Sequence, residues 1–197
     1  MLLILLTLIS YLIGSISSAI IVCRIMGLPD PRSSGSNNPG TTNVLRLGGK
    51  KAAILTLFGD VIKGVIPVVL AKLLTGSPII IAMAGLAAFL GHLYPIFFNF
   101  KGGKGVATAA GVFIGLSGFV MFLLFIIWLI TAVAFRYSSL AALIAVALTP
   151  FIVIWALPGL PYFLLALVIA VFVFLRHKEN IKRLIAGEES KINFRRS

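Results

Sequence analysis

Long apolar runs fill most of this chain, and three polar segments interrupt them. The polar segments occupy residues 29–51, 99–108 and 176–190. Several runs between them are long enough to cross a bilayer, because a hydrocarbon core of about 30 Å needs roughly 20 helical residues. The composition agrees, with 60% hydrophobic residues, 11% charged residues and a mean hydropathy of +1.13. We therefore predict a single membrane-embedded domain over residues 1–197.

The run at residues 104–135 decides how many spans the chain has. As one helix it would reach roughly 48 Å at 1.5 Å per residue, which is too long for one span and short for two. The segment from Gly115 to Gly118 offers a natural break. The other predicted spans are residues 2–23, 52–74, 78–98, 138–156 and 161–175. The first begins at Met1 without a basic flank, so we expect no cleaved signal peptide.

The distribution of charge favours seven spans over six. The chain carries a net charge of +12, but its cations lie in short segments beside apolar runs, so we expect no nucleic-acid partner. With seven spans the three polar segments share one side of the membrane, and the loops at 75–77, 115–118 and 157–161 on the other side carry no charge. The prediction is an all-α seven-transmembrane helix bundle with its N-terminus outside and its C-terminus cytoplasmic.

Each polar segment contains groups that bind phosphate. In the first, Ser36 and Asn43 stand among glycines and prolines, and Arg46 or Arg32 could supply a cation. In the second, Gly102, Gly103 and Gly105 surround Lys104 just before a predicted helix, whose N-terminus favours anions. The spacing is not that of a Walker A motif, so we do not expect ATP binding.

The third segment places His177 and Asn180 three residues apart, on one helix face if the helix continues. There they could bind a substrate or transfer a proton. Within the apolar runs, Asp60 and Lys63 are spaced to pair, and either gate the site or contact substrate. The lone cysteine, Cys23, excludes an internal disulfide, and we expect neither metal nor cofactor.

These segments together resemble the bacterial acyl-phosphate:glycerol-3-phosphate acyltransferase (PlsY) family. The matching runs are DPRSSGSNNPGTTNVLR with GDVIKG, GHLYPIFFNFKGGKGVAT, and RHKENIKRLIAGEE. Asn37 and Thr41 depart from the usual Gly and Ala, although asparagine tolerates the left-handed conformation that such a turn needs. The resemblance implies a bacterial inner-membrane enzyme of phospholipid synthesis with a cytoplasmic active site.

The implied reaction moves a fatty acyl group from acyl phosphate to the sn-1 hydroxyl of glycerol 3-phosphate, giving lysophosphatidic acid and inorganic phosphate. Arg46, Lys104 and the Gly102 to Gly105 loop would hold phosphates, and Ser36 and Asn43 would orient the acceptor. His177 and Asn180 would orient or deprotonate the attacking hydroxyl, unless a phosphate oxygen of the donor takes the proton. No covalent acyl-enzyme is expected, because acyl phosphate is already activated.

An absent motif, an alternative function and the expected partners complete this interpretation. The H-x-x-x-x-D motif of other acyltransferases is absent, since Phe97 follows His92 and Lys182 follows His177 at that spacing. A transporter or exchanger of a phosphorylated solute is the alternative function, but the outward ends of the spans are almost wholly apolar. The expected partners are glycerol 3-phosphate, acyl phosphate and the bilayer, and a monomeric state is left open.

Overall fold

The computed structural model describes residues 1–192, so the last five residues, with two cations of the tail, lie outside the described part. All regular structure in that part is helical. The helices are α1 (Leu2–Gly14), α2 (Ser18–Ile25), α3 (Thr41–Leu74), α4 (Pro78–Leu93), α5 (Val106–Leu116), α6 (Gly118–Phe135), α7 (Ser138–Ala156), α8 (Leu160–Arg176) and α9 (Lys178–Ile185), with a 3-10 turn at Ile96–Phe98. They form two compact units, Met1–Leu116 and a second that begins at Ser117.

Glycines bring the helices of the first unit into backbone contact. A Cβ atom at Gly64 of α3 would collide with the carbonyl oxygen of Thr108 on α5, and one at Gly111 of α5 would collide with that of Val61. Gly14 of α1 is pressed in the same way against Ala88 of α4. Small residues at such crossings are typical of membrane helices, which associate through close packing rather than through the hydrophobic effect.

The first predicted span is broken rather than continuous. The helix predicted at residues 2–23 divides into α1 and α2 around Ser15, Ile16 and Ser17. Hydropathy alone did not reveal the break, because serine is tolerated in membrane helices, where its hydroxyl bonds the preceding turn. The Ser15 hydroxyl donates to the Tyr11 carbonyl in this way, over 2.8 Å.

The second half of the first polar segment is helical, which corrects the prediction that the second span begins only at residue 52, after a polar connector. Helix α3 already begins at Thr41, so Arg46 lies on a helical turn. Among its residues, Gly49 departs from helical geometry, with φ at 73°, and kinks the helix there. The run of Thr, Asn, Arg and Gly resembled a connector because it is polar, yet it contains no proline to stop a helix.

The break predicted within residues 104–135 is confirmed. Helix α5 ends at Leu116, and the Ser117 hydroxyl caps the start of α6 by accepting from the Val120 amide at 3.3 Å. At the other side of the break, Lys72 donates to the carbonyls of Gly115 and Leu116, each over 3.2 Å. These bonds satisfy carbonyl groups that the end of α5 leaves without helical partners.

In the second unit α7 packs against both α6 and α8. Helix α9 turns away from α8 by 62°, with His177 at the bend. By length and composition five helical segments of the described chain can cross a membrane, or six if α8 and α9 form one bent span, and α5 is an additional shorter apolar helix. The described part of the chain is therefore all-helical, and several of its helices are long and apolar enough to cross a membrane.

Candidate active site

Asn43 organises the first polar loop from a buried position at the start of α3. Its Oδ1 accepts from the backbone amide of Ser36 at 2.9 Å, and its Nδ2 donates to the carbonyls of Pro31 and Ser34 at 3.0 and 2.9 Å. Both amide protons are therefore committed to the loop. Asn43 is predicted to orient the acceptor, and this geometry lets it do so through the shape of the loop that carries Ser36.

Ser36 and Arg46, by contrast, are exposed. The Arg46 guanidinium forms no hydrogen bond or ion pair with any residue in the described range 1–192, so it is available to an anion. Beside Ser36, Asn37 has φ at 55°, which confirms that asparagine supports the left-handed turn expected at this position. The loop thus presents a hydroxyl, and the first turns of α3 present a cation.

Arg32, the rival of Arg46 as a phosphate cation, has another role. Its Nη2 lies 2.7 Å from Asp30 Oδ2, and its Nη1 donates to the Phe98 carbonyl over 3.4 Å. The hydrogen bonds from the Arg32 side chain lower the pKa of Asp30 below its ordinary value. Arg32 therefore joins the first polar segment to the second, which makes Arg46 the stronger candidate for phosphate.

The glycine loop lies against the end of α4. A Cβ atom at Gly102 would collide with the carbonyl oxygens of His92 and Leu93, and one at Gly103 would collide with His92 Nε2. Gly105 has φ at 87°, a conformation that L side chains rarely adopt, and it packs on the Phe89 ring. The three glycines are therefore required by close packing and backbone shape, in addition to any contact with phosphate.

Lys104 is half-buried between these glycines, one residue before the last of them. Helix α5 begins immediately afterwards at Val106. The amides of its first turn have no partners within the helix, and the helix dipole favours an anion near them. A cation and a helix N-terminus therefore stand together, as expected for a phosphate site.

A buried cluster of charged and polar side chains in the first unit joins α3 to α4 and to the break between α1 and α2. Lys63 Nζ is 2.7 Å from Asp60 Oδ1, which confirms the predicted pairing within α3. Lys63 also donates to the carbonyl of Ile16 over 2.7 Å, at the break between α1 and α2. His92 Nδ1 lies 3.7 Å from the same Asp60 oxygen. These three side chains are 2–6% exposed.

In the second unit His177 is buried at the bend between α8 and α9. Its Nδ1 lies 2.8 Å from the carbonyl oxygen of Val173. Because a carbonyl oxygen only accepts, Nδ1 carries the proton in this bond, and in a neutral imidazole Nε2 then holds the lone pair. This tautomer allows Nε2 to accept a proton or a hydrogen bond from a substrate hydroxyl.

Glu189 binds three polar side chains, one of which is Asn180. Its Oε1 accepts from Asn180 Nδ2 at 2.6 Å and from the Ser139 hydroxyl at 2.7 Å, while its Oε2 lies 2.7 Å from Arg183 Nε. Burial raises the pKa of Glu189, but the hydrogen bonds from Ser139, Asn180 and Arg183 outweigh it, so the pKa is lowered overall. Sequence reasoning missed this role, although a carboxylate in a segment rich in cations was the available signal.

The sequence as a whole matches the family model described as Glycerol-3-phosphate acyltransferase, over residues 4–187. The chain belongs to this family. Among its relatives, the glycerol-3-phosphate acyltransferase of Methylococcus capsulatus is 53% identical over 188 residues, which cover 95% of this chain and 94% of that protein. The enzyme of the same name from Halorhodospira halophila is 52% identical over 189 residues, 96% of each chain.

Solved structures support membership of the acyltransferase family. The chain is similar to PlsY (YgiH), described as an integral membrane glycerol 3-phosphate acyltransferase, in its glycerol 3-phosphate form. The TM-score is 0.93, the identity is 39%, and the match covers 97% of this chain and 96% of that one. The form of the same protein with lysophosphatidic acid matches with a TM-score of 0.90 and 38% identity, over 97% and 95% of the two chains.

Proposed function

We propose that this chain transfers a fatty acyl group from acyl phosphate to the sn-1 hydroxyl of glycerol 3-phosphate, giving lysophosphatidic acid and inorganic phosphate. The family match over residues 4–187 carries the proposal. It is supported by two similar structures, whose descriptions name glycerol 3-phosphate and lysophosphatidic acid. These compounds differ by one acyl group, so they are the acceptor and the product of a single acyl transfer.

The chemistry suits a site without a nucleophilic side chain. Acyl phosphate is a mixed anhydride, so the acceptor hydroxyl attacks its carbonyl carbon, a new C–O ester bond forms, and the bond to phosphate breaks. The enzyme must hold two phosphates near each other and neutralise their charge. We assign this role to Arg46, Lys104 and the backbone of Gly102, Gly103 and Gly105.

The acceptor is assigned to Ser36, His177 and Asn180, with Asn43 acting through the loop. The hydroxyl proton must leave during the attack, and either His177 Nε2 or an oxygen of the donor phosphate can take it. We favour the phosphate oxygen, because Nδ1 of His177 is bonded to the Val173 carbonyl rather than to a carboxylate. An imidazolium would therefore receive less stabilisation than in a His-carboxylate dyad.

The proposed topology has seven spans, with the N-terminus outside and the C-terminus in the cytoplasm of a bacterial cell. In this topology α1 and α2 would form one broken span, and the shorter apolar helix α5 would be the fourth span. The uncharged loops between α3 and α4 and between α7 and α8 would face outward. The active site would then use the cytoplasmic supply of glycerol 3-phosphate at the inner membrane, with the chain acting alone.

An assay of the purified protein tests the proposed function. The protein in detergent is incubated with a long-chain acyl phosphate and labelled glycerol 3-phosphate, and lipid products are separated from soluble ones. Labelled lysophosphatidic acid should form together with one equivalent of inorganic phosphate, and glycerol without phosphate should be a poor acceptor. Binding of glycerol 3-phosphate without any product would instead favour a carrier of phosphorylated solutes.

A further inference from the structure

A continuous set of contacts links the break in the first span to the glycine loop. It runs from the Ile16 carbonyl to Lys63 Nζ over 2.7 Å, on to Asp60 Oδ1 over 2.7 Å, and from that oxygen to His92 Nδ1 over 3.7 Å. The opposite ring nitrogen of His92, Nε2, lies where a side chain on Gly103 would begin. One histidine therefore contacts a buried carboxylate on one edge and the glycine loop on the other.

His92 holds this loop through its backbone as well. The amide of Gly103 donates to the His92 carbonyl over 3.2 Å, and Gly102 packs on the same carbonyl group. The ring and the carbonyl of His92 thus confine the peptides that precede Lys104. If the ring moved, the backbone amides of the loop and the Cα atom of Lys104 would move with it.

A contribution to stability is a weak explanation for the contacts among Lys63, Asp60 and His92. Replacing a buried ion pair with apolar side chains of similar volume is often neutral or stabilising, so an Asp–Lys pair is weak evidence of a need for stability. The bond from Lys63 to the Ile16 carbonyl has a local reason. Non-helical backbone at membrane depth is tolerated where protein groups satisfy its carbonyls. The contact between Asp60 and His92, however, joins α3 to α4 and does not involve the carbonyls of the broken span.

We infer that His92, oriented by Asp60, is a positioning residue that fixes the Gly102–Gly105 loop in the geometry that binds phosphate. The inference rests on the proposed function, since it assigns the loop a phosphate substrate. His92 does not itself touch substrate in this role. It acts by holding Gly103 and, through it, Lys104.

Two substitutions of His92 distinguish the contact of Nδ1 with Asp60 from the contact of Nε2 with Gly103. His92→Asn keeps a polar atom near the position of Nδ1 and empties the space beside Gly103, whereas His92→Gln keeps an atom near Nε2 and loses the polar atom toward Asp60. Asp60→Asn removes the charge that orients the ring. We expect Lys104→Ala to raise the KM of the phosphate substrate that Lys104 binds. His92→Asn and Asp60→Asn should each raise the same KM by about 10-fold or more, with a smaller change in kcat. His92→Gln should retain more of the wild-type KM than His92→Asn does.

Lys72→Met provides the matched control. Lys72 lies on the same helix as Asp60 and, like Lys63, donates to backbone carbonyls, but its partners are Gly115 and Leu116 at the end of α5. Its loss should lower Tm and leave both KM values unchanged. If the His92 and Asp60 variants behave in the same way, with lower Tm and unchanged KM, their role is structural and the inference is wrong.

A double variant tests the contact directly. Gly103→Ala places a methyl group against His92 Nε2, so it should disturb the loop and raise the same KM. Because the remaining close neighbour is the Pro39 carbonyl at 3.0 Å, removal of the ring by His92→Asn should make most of the required space. The double variant should therefore have a lower KM than Gly103→Ala alone. If the two substitutions instead raise KM additively, the inference is wrong. This test does not use Asp60→Asn, so it decides the matter even if that variant fails to fold.

The proposed function and this inference fail in different ways. A wild-type protein that forms no lysophosphatidic acid contradicts the function, and the inference with it. An active wild type whose KM values do not respond to His92→Asn or Asp60→Asn contradicts the inference and leaves the function standing.

Discussion

Asn180 donates a hydrogen bond from Nδ2 to Glu189 Oε1 over 2.6 Å. The contact determines which end of the amide is nitrogen, because a carboxylate oxygen only accepts a hydrogen bond. The same carboxylate binds Ser139 and Arg183, which anchors α9 to the start of α7 within the second unit. The orientation of one proposed site residue therefore depends on a carboxylate nine residues further along the chain.

Glu189→Gln should lower the stability of the protein in a way that depends on pH. The pKa of Glu189 is below its ordinary value of 4.5 in the folded state, so its stabilising effect is present above pH 4.5 and is lost as the pH falls through the folded-state pKa. The difference in Tm between wild type and Glu189→Gln should thus be large at pH 7 and shrink below pH 4.5.

Glu179→Gln is the control for this effect. Glu179 pairs with Lys182 on the same helix, but the two side chains are 70% and 73% exposed. An exposed pair of this kind contributes about 0.2–1 kcal/mol at most, so Tm should change little at any pH. Equal Tm losses in the two variants, or a loss in Glu189→Gln that does not depend on pH, would contradict the role assigned to Glu189.

Asn43→Ala should lower kcat/KM by about 10²-fold, because the loop that carries Ser36 loses three hydrogen bonds and shifts. Asn43→Asp keeps the acceptor for the Ser36 amide but places a carboxylate against the carbonyls of Pro31 and Ser34, so it should be equally impaired. Ser33→Ala removes a bond of 3.4 Å at an exposed site and should be close to wild type. Activity of Asn43→Asp near that of wild type would contradict this account.

The sequence predicted most of the helices because the apolar runs are long and bounded by turn residues. The break at Gly115–Gly118 followed from the length of the run together with its glycines and the distribution of charge. The break at Ser15–Ser17 could not be predicted in this way, since it depends on a tertiary contact, the bond from Lys63 to the Ile16 carbonyl. The helical start of α3 was also missed, because an interfacial helix and a connector have similar polar compositions.

For the candidate site, the sequence indicated residue types rather than contacts. Arg46 and Lys104 were predicted to be phosphate cations from their chemistry, and the family resemblance implied that Ser36 orients the acceptor. Arg32 has the same chemistry, and only the structure shows that it is bonded to Asp30 and Phe98. Glu189 and the position of His92 beside Gly103 were not predicted, because both depend on residues that are distant in the sequence or on close backbone packing.

Lys104→Ala should raise KM for a phosphate substrate. Removal of a cation from a phosphate loses a charge-assisted hydrogen bond of about 1.5–3 kcal/mol, which corresponds to roughly 10–160-fold in KM. Lys101→Ala, at an exposed site in the same loop, is the control and should have a small effect. Initial rates with each substrate varied in turn would show which phosphate Lys104 binds. Similar KM values in the two variants would contradict the assignment.

The proposed topology predicts that residues 36, 104, 136 and 180 are all cytoplasmic. Single cysteines at these positions, in a Cys23→Ser background, should resist an impermeant thiol reagent added to intact cells and react after the cells are opened. A cysteine at Gly76, in the loop between α3 and α4, should react from outside and serves as the positive control. Labelling of position 180 but not of position 104 in intact cells would support six spans.

The remaining prediction concerns the proton acceptor. If a donor phosphate oxygen takes the proton, His177 positions the acceptor hydroxyl, and His177→Gln, with a polar atom near the position of Nε2, should retain more activity than His177→Ala. The pH dependence of kcat/KM should then keep the same limbs in His177→Gln as in wild type.

If His177 is instead the base, its loss should lower kcat by about 10²–10⁴-fold, because positioned proton transfer commonly contributes that much. A limb near pH 6–7, close to the ordinary pKa of histidine, should disappear at the same time. Both results together, a fall of at least 10²-fold and the loss of that limb, would identify His177 as the base and rule out transfer to the phosphate.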